Sequence, residues 1–143
     1  MQIEETFTAE LNPEFKTKFK HVMLIDDNPI DNLVNTQLLN KGEFSEKITV
    51  MEGPEEALEF IRSCKLDELP DIIFLDILMP VMDGFAFLDE YEKLDKKIIK
   101  QSKVVMLSTS DSFHHLNQAN KNKLVTRFLN KPLTSEIISA ISS

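Results

Sequence analysis

Five times along this chain a short, largely apolar run gives way to a segment with helical spacing. The runs are Val22 to Ile25, Ile48 to Met51, Ile72 to Leu75, Val104 to Leu107 and Val125 to Leu129. Short runs of this kind, without strict polar alternation, are expected of strands covered on both faces. The segments between them supply the covers. Asn28-Pro29 opens a first helix, and Ile30, Leu33, Val34 and Leu38 mark its apolar face before Lys41-Gly42 closes it. Pro54 opens a second helix, with Ala57, Leu58 and Ile61 on its apolar side. Phe85, Leu88 and Tyr91 mark a third, and a polar fourth runs from about Ser112 to Asn122. A short fifth, Ser135 to Ile141, turns Ile137, Ile138 and Ile141 to one side. Parallel strands need crossover connections, and helices supply them. The alternation therefore predicts an α/β fold with a five-stranded parallel sheet flanked by five helices.

A length of 143 residues suits one such domain. Residues 1–20 read apart, as a polar and charged lead-in. There Asn12-Pro13 is a helix start that sets Phe15 and Phe19 one turn apart, for docking on the domain at 21–143. With 24 acidic against 16 basic residues the formal charge is −8, which argues against a nucleic-acid partner. No apolar run reaches the ~20 residues of a membrane span, and no basic segment precedes an apolar one at the start. A cytoplasmic domain is expected. Cys64 is the single cysteine, too few for an internal disulfide, and reads as a small packed residue.

In parallel sheets, ligand chemistry gathers just beyond the carboxyl ends of the strands. Asp26 and Asp27 follow the first strand and Asp76 follows the third. Ser108, Thr109 and Ser110 follow the fourth, and Asn130, Lys131 and Pro132 the fifth. An Asp after a strand is often only a helix cap or turn former. Asp76 is harder to explain so, because it interrupts an apolar stretch from Ile73 to Met79. Three carboxylates in one pocket raise one another's pKa, and a cation relieves this. Oxygen ligands with few carboxylates suit Mg²⁺, and a lysine opposite suits an anion held between it and the metal.

The segments Leu24 to Asn28, Phe74 to Gly84, Met106 to Ser110 and Phe128 to Pro132, in this order, strongly resemble the receiver domain of two-component response regulators. The resemblance covers about residues 20–143, and Asp76 to Gly84 is specific by itself. It implies a flavodoxin-like sheet in the order 2-1-3-4-5. It implies Asp76 as phosphoacceptor, with Asp26, Asp27, Asp76 and the backbone carbonyl of Leu78 around Mg²⁺. Lys131 would pair with the phosphoryl group, Ser108 would be the switch hydroxyl and Phe128 the switch aromatic, and Lys131-Pro132 would be cis. The implied donor is a sensor histidine kinase or a histidine phosphotransfer protein. A downstream protein would dock on the fourth helix, fifth strand and fifth helix of the expected order, where a phosphorylated dimer could also form. Such a domain catalyses only its own phosphorylation and dephosphorylation. Leu78 cannot orient a water through a side-chain hydrogen bond, so slow self-dephosphorylation is expected.

Two other readings compete. A phosphohydrolase of the haloacid-dehalogenase type would need an acidic residue two positions after its nucleophile, where this chain has Leu78. A degenerate receiver would bind partners without being phosphorylated. A stand-alone regulator and a receiver belonging to a longer hybrid kinase both remain open. Among the remaining polar residues, His114, His115 and the run Asn117 to Lys123 read as solvated. Asp31, one helical turn beyond Asp27, is within reach of the site but also reads as solvated. Asp83-Gly84 reads as a turn, and Phe128 is equally readable as an ordinary core aromatic.

Overall fold

A computed structural model of the chain describes residues 19–109 and 113–142. The lead-in features Asn12-Pro13 and Phe15 lie outside the described residues, as do Ser110 and Ser112.

The strands are β1 (Phe19–Ile25), β2 (Ser45–Met51), β3 (Ile72–Asp76), β4 (Lys103–Ser108) and β5 (Val125–Asn130). The helices are α1 (Pro29–Lys41), α2 (Pro54–Ser63), α3 (Gly84–Tyr91), α4 (Lys96–Gln101), α5 (Phe113–Lys121) and α6 (Ser135–Ser142). A 3₁₀ turn at Leu66–Glu68 leads into β3. All ladders are parallel and the order is β2-β1-β3-β4-β5, as expected.

Successive strand side chains point to opposite faces, so each central strand feeds two cores. Val22, Leu24, Ile72, Phe74, Val105 and Leu107 form one with Leu39 of α1 and Ile138 of α6. Met23, Ile25, Ile73, Leu75, Val104 and Met106 form the other with α2, α3 and α5, through Ala57, Ile61, Phe87, Leu88 and Ala119. The central strands β1, β3 and β4 are buried along nearly their whole length. The edge strands β2 and β5 are covered only in part.

Three expectations need correcting. There are six helices, not five. The additional α4 is only six residues long and capped by Asp95, whose side chain accepts from Lys97 N. The spacing of this segment signals no element, yet Ile98 and Ile99 rest partly on the core. Phe19 belongs to β1, not to a lead-in helix, and its ring lies 4.9 Å from that of Phe44. The first turns of helix α1 are turned the other way, while Leu38 packs partly against the core as expected. Ile30, Leu33 and Val34 are 70%, 58% and 46% exposed, while Asn32, Asn35 and Leu39 are buried. The first turns of α1 sit over the polar strand ends, not over the apolar sheet, and polar side chains are needed there. Asn32 Nδ2 donates to the Asp26 carbonyl at 2.8 Å.

Candidate functional site

The carboxyl edge of the sheet assembles the site from four strand ends. Asp26, directly after β1, is 3% exposed, and its Oδ1 accepts the Asn28 N–H at 3.0 Å. Asn28 then caps α1, its Oδ1 accepting from Ile30 N and Asp31 N. Asp27 is exposed at the mouth. Asp76, the last residue of β3, is 5% exposed. One carboxylate oxygen from each of Asp26, Asp27 and Asp76 lies within 4.8 Å of the others.

Lys131 reaches this group from the end of β5. Its N–H donates to the Ser108 carbonyl at 2.8 Å, and the Lys131-Pro132 peptide is cis, as expected. Its Nζ lies 2.6 Å from Asp26 Oδ2, 2.9 Å from Asp76 Oδ1 and 2.9 Å from Asp31 Oδ2. Burial alone works against a charged ammonium. The bonds to Asp26, Asp31 and Asp76 outweigh it and hold Lys131 above the ordinary lysine value.

Asp76 shows the opposite balance. Burial pushes its carboxyl up to about 6, and the neighbouring charges of Asp26 and Asp27 add to that against the pull of Lys131. One ammonium does not satisfy this many carboxylates. The donor set, all oxygen and short of positive charge, fits a hard divalent cation such as Mg²⁺.

Ser108 closes β4 fully buried, beside Asn130 across the ladder. Phe128 sits two residues earlier on β5, opposite Met106 and half-buried against the same core as Met23 and Met106. Leu78 is in the β3–α3 loop, with its side chain half exposed. That loop is held at both ends. Ile77 N–H donates to the Leu107 carbonyl at 3.1 Å, and Gly84 N–H donates to the Ile77 carbonyl at 2.9 Å. Gly84 is more than a turn residue. A Cβ there would stand 2.8 Å from the Asp76 carbonyl oxygen and 2.9 Å from Met106 Cε. Asp83 caps α3 by accepting from Ala86 N at 2.8 Å.

Two minor readings change. Asp31 is not simply solvated, since it bonds Lys131. The available signal was its place one helical turn beyond Asp27, in the first turn of α1. His115 is half-buried with its ring 6.1 Å from that of Phe85, whereas His114 is exposed. Cys64 packs partly against the core, as expected. A cleft of about 250 Å³ lined by Asp31, Val34, Asn35, Thr109, Lys131 and Pro132 adjoins the site on the α1 side.

A family model described as the response regulator receiver domain matches residues 22–142. Protein-glutamate methylesterase/protein-glutamine glutaminase 3 of Burkholderia thailandensis is 34% identical over 100 residues, 67% of this chain and 25% of that protein. Histidine kinase CKI1 of Arabidopsis thaliana is 29% identical over 117 residues, 76% of this chain and 10% of the kinase. The chain thus spans a quarter or less of the length of either relative. Among solved structures, a two-component response regulator from Cytophaga hutchinsonii superposes with a TM-score of 0.80 at 26% identity, covering 86% of this chain and 93% of that one. A response regulator receiver protein from Dyadobacter fermentans gives 0.78 at 24% identity, covering 85% and 94%.

Proposed function

The chain belongs to the response regulator receiver family of two-component signalling, and from that premise we propose that Asp76 is the residue that accepts the phosphoryl group. One observation carries this reading. The buried Asp76 shares Lys131 with Asp26 inside a carboxylate cluster at the sheet's carboxyl edge.

A carboxylate oxygen of Asp76 attacks the phosphorus of a phosphohistidine on the donor. The P–N bond to the imidazole breaks as the P–O bond to Asp76 forms, and the imidazole nitrogen leaves with the bonding pair and takes a proton. There is little covalent work for the protein beyond this, so positioning and charge carry the catalysis. Lys131 stands where it can donate to an equatorial oxygen of the transferred group, and the Ser108 hydroxyl is its counterpart from β4. Asp26, Asp27, Asp76 and the Leu78 carbonyl would hold Mg²⁺, which when bound supplies positive charge to the same oxygens. Once Asp76 is phosphorylated, Ser108 shifts toward the phosphoryl oxygens. Phe128 turns into the space behind it, biasing the surface of α5, β5 and α6 between two states.

The donor is a sensor histidine kinase or a histidine phosphotransfer protein, meeting this domain in the cytoplasm. We place its docking on α1, where Ile30 and Leu33 stand exposed and Val34 lines the cleft that reaches Lys131. The downstream protein takes the α5–β5–α6 surface, which also serves if the phosphorylated form dimerises. No helix among the described residues is long and apolar enough to cross a membrane.

Incubation with acetyl phosphate and Mg²⁺, read by intact mass, tests the assignment. A single phosphoryl adduct is expected, absent without Mg²⁺ and absent in Asp76→Asn. An adduct that survives Asp76→Asn would remove the assignment, and no adduct at all would favour a binding-only receiver. Leu78→Asn should shorten the life of the adduct, because an amide there can orient the hydrolytic water. An unchanged decay rate would contradict that role for Leu78.

A further inference from the structure

Lys131 Nζ donates to Asp26 at 2.6 Å and to Asp31 at 2.9 Å, and pairs with the Asp76 carboxylate at 2.9 Å. Two of these partners have other duties. Asp26 belongs with the metal, and Asp76 is the group that becomes phosphorylated. Asp31 has neither duty. It projects from the first turn of α1, where the unpaired N–H groups favour a carboxylate, and Asn28 holds its backbone by accepting the Asp31 N–H at 3.1 Å. Its side chain is 35% exposed, against 5% for Asp26 and 6% for Asp76, so it faces the open cleft by which a donor would arrive.

We propose that Asp31 is a positioning residue for Lys131, its standing counter-charge, and that it lowers the site's hold on phosphoryl anions. The inference rests on Lys131 being the phosphoryl partner. It follows from charge and hydrogen-bond accounting. When Asp26 turns to a metal and Asp76 carries a phosphoryl group, Asp31 is the one carboxylate of the three still free to keep Lys131. It fixes the direction of the ammonium but also neutralises part of the charge an incoming anion would feel. A small anionic donor must compete with Asp31. A protein donor docked on α1 brings contacts of its own against the helix that carries Asp31, so the guard favours it over free phosphoanions.

The consequence is an opposed shift that a merely structural residue would not produce. Asp31→Asn keeps the size and hydrogen-bonding capacity but removes the negative charge. Calorimetric titration with beryllofluoride in saturating Mg²⁺ should show affinity raised on the order of 3–10-fold. Titration with Mg²⁺ alone should show affinity lowered by roughly half that factor, since one anionic charge near the metal is gone. Asp31→Glu, which keeps the charge, should return both affinities toward those of the unaltered protein. Beryllofluoride affinity that is unchanged or reduced in Asp31→Asn overturns the inference while leaving the site assignment intact. Failure of the unaltered protein to bind beryllofluoride with Mg²⁺, with no change in Asp76→Asn, brings down the site assignment and this inference together.

Discussion

The two edges of the sheet are built on opposite terms. At the amino edge Asp71, His21, Thr49 and Ser102 all find partners. Asp71 Oδ2 accepts the Lys20 N–H at 2.8 Å and the His21 N–H at 3.2 Å. The His21 ring, 5% exposed, sits with Nδ1 2.9 Å from the Glu68 carbonyl and Nε2 2.7 Å from the Thr49 hydroxyl. Ser102 donates to the Pro70 carbonyl. At the carboxyl edge three carboxylates crowd within 4.8 Å, a buried Asp is pushed toward its protonated form, and Val81 is held at φ 71° with its side chain fully exposed. Polar groups that pair with one another hold a fold together, whereas carboxylates crowded beyond their counter-charge call for a cation. The difference marks which edge is structural and which is functional.

The largest expected effect strains the functional edge directly. Gly84→Ala puts a methyl 2.8 Å from the Asp76 carbonyl oxygen, against backbone that cannot easily yield. It should cost ~2–3 kcal/mol in denaturant unfolding, the scale of overpacking. A loss below ~0.5 kcal/mol would mean the β3–α3 loop is softer than its hydrogen bonds suggest.

Next comes the charge itself. Asp76 is held at about 6 in the fold against an ordinary 3.8, so the folded state binds more protons than the unfolded one between those values. Stability contributed by this edge therefore falls as pH rises from about 4 to about 6. At pH 7.5 in chelator, Asp76→Asn should be more stable than the unaltered protein by ~1–2 kcal/mol, and Mg²⁺ should narrow the gap. A destabilised Asp76→Asn would reverse the reading of this edge. His21 works the other way. Burial lowers its pKa below the ordinary 6.5, so its contribution is complete above 6.5 and is lost as pH falls from there through the lowered value.

At the amino edge, Thr49→Val removes the hydroxyl at His21 Nε2 and should cost ~1 kcal/mol. The same cost is expected with Mg²⁺ or with chelator, because the effect belongs to the structural edge. A Mg²⁺-dependent cost would show that the two edges are coupled. The smallest effect is at Val81. A β-branched residue in the left-handed region is strained, and Val81→Gly should stabilise by ~0.5–1 kcal/mol after glycine's own entropic cost. Thermal melting resolves a change of that size, and a loss of stability would mean that Val81 makes contacts worth more than the strain.

Much of this was legible in the chain. Fully buried strands announce themselves as apolar runs, and the strand ends then placed Asp26, Asp27, Asp76, Ser108 and Lys131 at one edge. Periodicity fails where function overrides it. In α1 the apolar residues Ile30, Leu33 and Val34 lie outside, because Asn32 serves the Asp26 carbonyl from within. The pattern of spacing reports that a helix has two faces, not which one meets the protein. Helix α4 was too short and lysine-rich to signal itself. Asp31 falls within reach of the site in the sequence but reads as solvated there, because its partner, Lys131, is 100 residues away along the chain.

The most direct test maps the phosphoryl group chemically. After phosphorylation with acetyl phosphate and Mg²⁺, borohydride reduces an aspartyl phosphate to homoserine, and peptide mass spectrometry locates it. A single homoserine at position 76 is the expected result. Reduction at Asp26, at Asp27 or at none of the three would contradict Asp76 as the acceptor.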